Sequence, residues 1–78
     1  MANKSVVKIE GIIEEALPGL LFRVRATGGD PDIEINKEIL AHLAGKMKLY
    51  RIKVVAGDKV LIEMPNVNDR RGRITRRL

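Results

Sequence analysis

The chain has no cysteine and no tryptophan, and its 78 residues include one phenylalanine, one tyrosine, one histidine and one serine. Without cysteine neither a disulfide nor a thiolate metal site can form, which suits a reducing compartment. A lone histidine cannot build an ordinary zinc site. With Ser5 the sole serine and no cysteine, neither a Ser-His-Asp nor a Cys-His arrangement is available. The stretch "RATGGDPD" is glycine-rich but lacks the Gly-Lys-Ser/Thr ending of a phosphate-binding loop. An enzyme is therefore not expected, and neither is a cofactor. Long apolar runs are also missing. The opening "MANKSVVKIEGII" has no signal-peptide core, and nowhere do 18 apolar residues follow one another. The expectation is a soluble, cytoplasmic chain with no membrane contact.

What is present is aliphatic and basic. Hydrophobic residues make up 45% of the chain, so a core of Val, Ile and Leu is possible without aromatics. The length bounds this to one domain, residues 1–78, with 1–5 as a frayed start, burying about 60% of the unfolded surface. The net charge of +5 is unevenly spread: residues 1–45 carry five basic and seven acidic side chains, residues 46–78 ten basic and three acidic. Such asymmetry is the electrostatic footprint of a polyanion binder.

Strand patterns dominate. In "VVKIEGIIEEAL" Val7, Ile9, Ile13 and Leu17 alternate with charged positions, and Gly11 marks a bulge or bend that lets one strand serve two neighbours. "LPG" is a tight turn, and the return strand from Leu20 to Ala26 turns Phe22, Val24 and Ala26 to the core. Arg23 and Arg25, on its other face, are expected to pair across the sheet with Glu10, Glu14 or Glu15. "TGGDPD" breaks the pattern. "DIEINKEILAHLAGKM" fits a strand through Ile33, Ile35, Ile39, Ala41 and Leu43, yet "KEILAHLA" is also a helical pattern, and periodicity leaves both open. "KMKLY" reads as one helical turn. "AGDKVLIEM" gives a turn and a strand with Val60, Ile62 and Met64 inward, "PNVNDRRG" a loop, and "RITRRL" the last strand. Five short strands with a helical turn between the third and fourth define an all-β, OB-type barrel.

The chain ends on "RRGRITRRL", with five arginines in nine residues. Like charges this close repel one another unless phosphates neutralise them. Strict alternation from Ile74 inward sends Arg73, Thr75 and Arg77 to one side and Arg76 to the other. Lys4, Lys8, Lys37 and Lys59 read as solvated charges without a role. Two other binding modules are consistent with such a chain. One is a cold-shock-like single-stranded RNA chaperone, which would stack bases on exposed aromatics. The other is a basic protein–protein adaptor.

"GIIEEALPGLLFRV", "AHLAGKM", "GDKVLIEM" and "GRI" occur in the order and spacing of the bacterial translation initiation factor 1 family, which the chain resembles from about Val6 to Arg77. The resemblance implies an OB-fold that binds the small ribosomal subunit at the A site, over 16S-type ribosomal RNA and beside a ribosomal protein. It implies that the factor blocks premature tRNA access, assists the other initiation factors and is a monomer off the ribosome. It places "AHLAGKM" at the end of the third strand, running into the helical turn, and puts the residues between Thr27 and Lys37, longer than in typical members, in a loop. The RNA-contacting positions it implies are His42, Lys46 and Lys48 around the "GKM" motif, Lys53 in the strand that follows, Arg73 of "GRI", and Arg71 and Arg77 near the end. Arg51 stands where the family has an aromatic residue and joins that set. Tyr50, one position earlier, forms its margin with Arg70 and Arg76. "PNVNDRR" departs from the family's usual loop.

Overall fold

The computed structural model describes residues 6–50 and 53–78. Five strands and one short helix follow in order: β1 (Val7–Leu17), β2 (Leu21–Gly28), β3 (Glu38–Leu43), α1 (Gly45–Leu49), β4 (Lys59–Met64) and β5 (Arg71–Arg77). The strands close on themselves in the order β1-β2-β3-β5-β4, so no sheet edge is left open. All neighbours are antiparallel except β3 and β5, which run parallel. The OB-fold expected from the sequence is what forms, with the helix between the third and fourth strands.

The long first strand makes closure possible. Gly11 pairs with Ala26 of β2 on one side and with Val60 of β4 on the other. A Cβ at this glycine would lie 2.6 Å from Val24 Cγ1 and 3.0 Å from the Arg25 carbonyl oxygen, so only glycine lets the strands approach this closely. The ladder with β2 shifts twice, between Glu10 and Gly11 and again between Ile13 and Glu15. The second shift leaves Glu14 as an extra residue and reverses the alternation beyond it, and Leu17, expected inward, is half-buried.

Inside lies the aliphatic core that the composition implied: Ile9, Ile13, Val24, Ile39, Val60, Ile62, Met64 and Ile74, each at most 1% exposed. Phe22 joins it, at 6% exposure. Met47 carries the one-turn helix into the same core.

Two local expectations change. Leu20 is not the first residue of the return strand. It sits in the turn with φ 57° and its side chain exposed, because the "LPG" turn needs a left-handed residue after Gly19. Ile35 is also out of the strand pattern and exposed, and β3 begins only at Glu38. Ile33, by contrast, is buried although it lies in the loop, which folds back on the barrel through Asn36 N donating to the Ala26 carbonyl at 2.8 Å. Lys37 is not merely solvated: its Nζ donates to the Val67 carbonyl at 2.6 Å and ties this loop to the one before β5.

Candidate nucleic-acid interface

The candidate site grows out of β5 and the two elements beside it. Gly72 faces inward where a Cβ would fall 2.5 Å from Ile62 Cγ2 and 3.1 Å from both the Glu63 carbonyl oxygen and Met64 Cγ. The strand can thus lie close over β4 while Arg71 and Arg73 on either side of the glycine point outward. In register, Arg71 lies beside Leu40 and Arg73 beside His42 of β3, and Arg73 faces Glu63 of β4. Glu63 in turn faces Lys8 of β1. A single row of outward side chains therefore crosses four strands: Lys8, Glu63, Arg73, His42. Arg73 Nη2 and Glu63 Oε1 are 2.7 Å apart.

Beyond Ile74 the alternation expected from the sequence fails. Ile62 pairs with Ile74, but Leu61 pairs with Arg76, leaving Thr75 as the extra residue of a bulge. Arg76 therefore follows the outward Arg73. Arg77, opposite the buried Val60, follows Ile74 and turns over the end of the barrel, where its Nη1 donates to the Lys53 carbonyl. The expected grouping of Arg77 with Arg73, with Arg76 alone, is reversed by that one inserted residue.

The helix divides its lysines. Lys46 and Lys48, two apart, cannot share a face. Lys46 lines a groove with Tyr50, Thr75, Arg76 and Arg77. Lys48 and Lys53 border an apolar hollow that includes Phe22, Leu43 and Val54, and Lys53 lies in the connection before β4 rather than in the strand expected for it, since β4 begins only at Lys59. His42, Arg71 and Arg73 line a third groove, with Leu21 and Leu40. Arg70 precedes the strand and is exposed. Arg51 lies outside the described residues, as do residues 1–5 of the expected frayed start. The structure thus brings His42 of β3 together with Arg71 and Arg73 of β5, and Lys46 and Tyr50 of the helical turn together with Arg76 and Arg77 at the end of β5.

Electrostatics separates this region from the opposite side. Arg23 pairs with Glu15 and, at 3.4 Å, with Glu38, and Arg25 pairs with Glu14 at 3.0 Å. The cross-sheet pairing expected of these arginines is present, with Glu38 in addition and without Glu10. Among the described residues, no carboxylate lies within ion-pair distance of Lys46, Lys48, Lys53, Arg70, Arg71, Arg76 or Arg77. The acids nearby are occupied by the backbone: Asp58 Oδ2 accepts from Val55 N, and Asp69 Oδ1 from the amides of Arg70 and Arg71. Sequence reasoning missed Glu63 as a partner of Arg73, since only the register of β4 against β5 brings them together. With Phe22 in the core, Tyr50 is the exposed aromatic among the described residues.

A closed five-stranded barrel with a helix after its third strand and cations along its last one, all but Arg73 without a carboxylate partner among the described residues, fits an OB-fold domain of the RNA-binding class. Comparison with known proteins agrees. No family model matches the chain. Its structure superposes with a TM-score of 0.68 on translation initiation factor 1 from the Wolbachia endosymbiont strain TRS of Brugia malayi, at 35% sequence identity over 96% of this chain and 80% of that one. YjeQ from Thermotoga maritima superposes equally well (TM-score 0.68) at 25% identity over 92% of this chain, which spans 23% of that longer protein. The chain belongs to the translation initiation factor 1 family. No helix among the described residues is long and apolar enough to cross a membrane.

Proposed function

We propose that residues 1–78 act as a single OB-fold domain that binds the small ribosomal subunit at the A site through its 16S-type ribosomal RNA. In this reading the protein touches a neighbouring ribosomal protein, blocks premature tRNA access and assists the other initiation factors. It works in the cytoplasm, is a monomer off the ribosome, and requires no cofactor and performs no catalysis. His42, Lys46, Lys48, Arg51, Lys53, Arg71, Arg73 and Arg77 contact the RNA, with Tyr50, Arg70 and Arg76 at the margin.

One observation carries the reading. Arg23 and Arg25 of β2 are paired with Glu14 and Glu15 of β1 and Glu38 of β3, whereas the cations along α1 and β5, Arg73 apart, are left without carboxylates among the described residues. Guanidinium groups held on a rigid strand match phosphate oxygens bidentately and position a protein on folded RNA without reading its sequence. A stacking mode, which gains about 1–3 kcal/mol per base from aromatic side chains, has only Tyr50 to draw on among the described residues. The test is co-sedimentation with isolated small subunits, with and without the other initiation factors and with RNA homopolymer as competitor. Saturable binding that the other factors strengthen and homopolymer displaces poorly is expected. Equal affinity for homopolymer would favour a single-stranded RNA chaperone, and no binding to subunits would end the proposal.

A further inference from the structure

Arg73 differs from the other cations of β5. Arg71, Arg76 and Arg77, and Arg70 just before the strand, have no carboxylate within ion-pair distance among the described residues, whereas Arg73 is held by Glu63 at 2.7 Å. The pair is accessible, with Arg73 52% and Glu63 22% exposed, so it is not a buried structural bridge. No other hydrogen bond to the Glu63 carboxylate forms among the described residues. On its far side the same row places Lys8, which has no carboxylate within ion-pair distance among the described residues.

We propose that Glu63 is a built-in stand-in for an RNA phosphate, and that it sets how tightly the cationic strand holds RNA. This rests on the RNA-binding reading of β5 given above. In the free protein the Glu63 carboxylate occupies the guanidinium of Arg73 and holds it across the sheet. An arriving phosphate must take its place, since both are anions competing for the same two-pronged donor. The displaced carboxylate is then left facing Lys8, one strand away, which limits the cost of leaving it unpaired. It still repels the phosphate that displaced it. Glu63 therefore lowers affinity and speeds release, keeping a strongly basic surface reversible and selective for sites that offer several phosphates together.

The test uses purified small ribosomal subunits and the full chain in five forms: wild type, Glu63→Gln, Glu63→Asp, Arg73→Ala and the Glu63→Gln, Arg73→Ala double variant. Glu63→Gln keeps the shape and removes the charge. It is expected to bind about two- to fivefold tighter at low salt, the size expected of one exposed charge pair, mostly through slower dissociation. The gain should vanish in the Arg73→Ala background and shrink as salt rises. Glu63→Asp, which withdraws the charge by one methylene, should fall between wild type and Glu63→Gln. Should Glu63→Gln fail to fold, Glu63→Asp alone must still bind more tightly than wild type. Wild type that binds, with both variants no tighter or weaker, overturns the inference alone and makes Glu63 a positioning partner of Arg73. A gain that persists without Arg73 overturns it too, as a general charge effect. Wild type that does not bind subunits overturns the underlying reading as well.

Discussion

Arg77 reaches from the last strand to the segment after the helix, its Nη1 donating to the Lys53 carbonyl oxygen at 3.0 Å. The contact exists because the Thr75 bulge turns Arg77 over the barrel end. Arg77 is therefore both a cation beside Lys46 and Tyr50 and a tie between chain segments far apart in sequence. Arg77→Ala is expected to lose both roles, costing about 0.5–1 kcal/mol of stability for an exposed hydrogen bond as well as affinity for RNA. Arg77→Lys should recover most of the affinity but less of the stability. Urea unfolding alongside subunit binding separates the two, and an Arg77→Ala protein as stable as wild type would show that the bond to Lys53 contributes nothing.

The barrel depends on what β5 turns inward. Ile74 is fully buried, and Ile74→Ala is expected to cost about 2–4 kcal/mol. Gly72→Ala should cost about 1–3 kcal/mol, because its Cβ would meet Ile62 and the Glu63 carbonyl. Thermal denaturation measures both, and a Gly72→Ala protein as stable as wild type would contradict the close approach of β5 to β4.

Leu20 holds a left-handed backbone with an exposed side chain. A conformation costing about 1 kcal/mol for an ordinary residue is relieved by glycine or asparagine. Leu20→Gly is expected to be neutral or slightly stabilising despite the greater freedom of the unfolded chain, whereas Leu20→Val should destabilise. A marked loss on Leu20→Gly would show that the side chain packs on something in solution.

The acidity of the loop between β2 and β3 suggests a dispensable segment that could be trimmed without harm. Ile33 in the core and Lys37 on Val67 change that expectation. Ile33→Ala should cost about 2 kcal/mol or more. Neutralising Asp30, Asp32 and Glu34 together should leave stability within about 0.5 kcal/mol, as for surface changes generally, and should not weaken subunit binding. Loss of binding on neutralisation would make the loop a contact element.

Much of this architecture is readable in the residues. Period-two alternation marks Val24, Ile39, Val60, Ile62, Met64 and Ile74 as inward, and all are buried. Periodicity cannot choose between strand and helix for "KEILAHLA", because Ile39 and Leu43 satisfy both; the resemblance chooses the strand, and pairing with β2 and β5 forms it. The bulges at Glu14 and Thr75 are illegible, since an inserted residue carries no composition signal and yet flips every face beyond it. Basic candidates are visible as charge, but the Glu63–Arg73 pair and the separation of Lys46 from Lys48 depend on register and helix phase.

The central claim is that cations on β5 and α1 clamp RNA phosphates, and the salt dependence of small-subunit binding tests it most directly. With around five phosphates neutralised, log K for wild type should fall against log salt with a slope of roughly −3 to −5. Arg76→Ala, Arg71→Ala and Lys46→Ala should each weaken binding and flatten that slope by about 0.7–0.9, with unchanged thermal midpoints. Arg25→Ala, on the self-neutralised side, should leave the slope as it is. Unchanged affinity and slope in the three β5 and α1 variants, or a flattened slope in Arg25→Ala, would contradict the account.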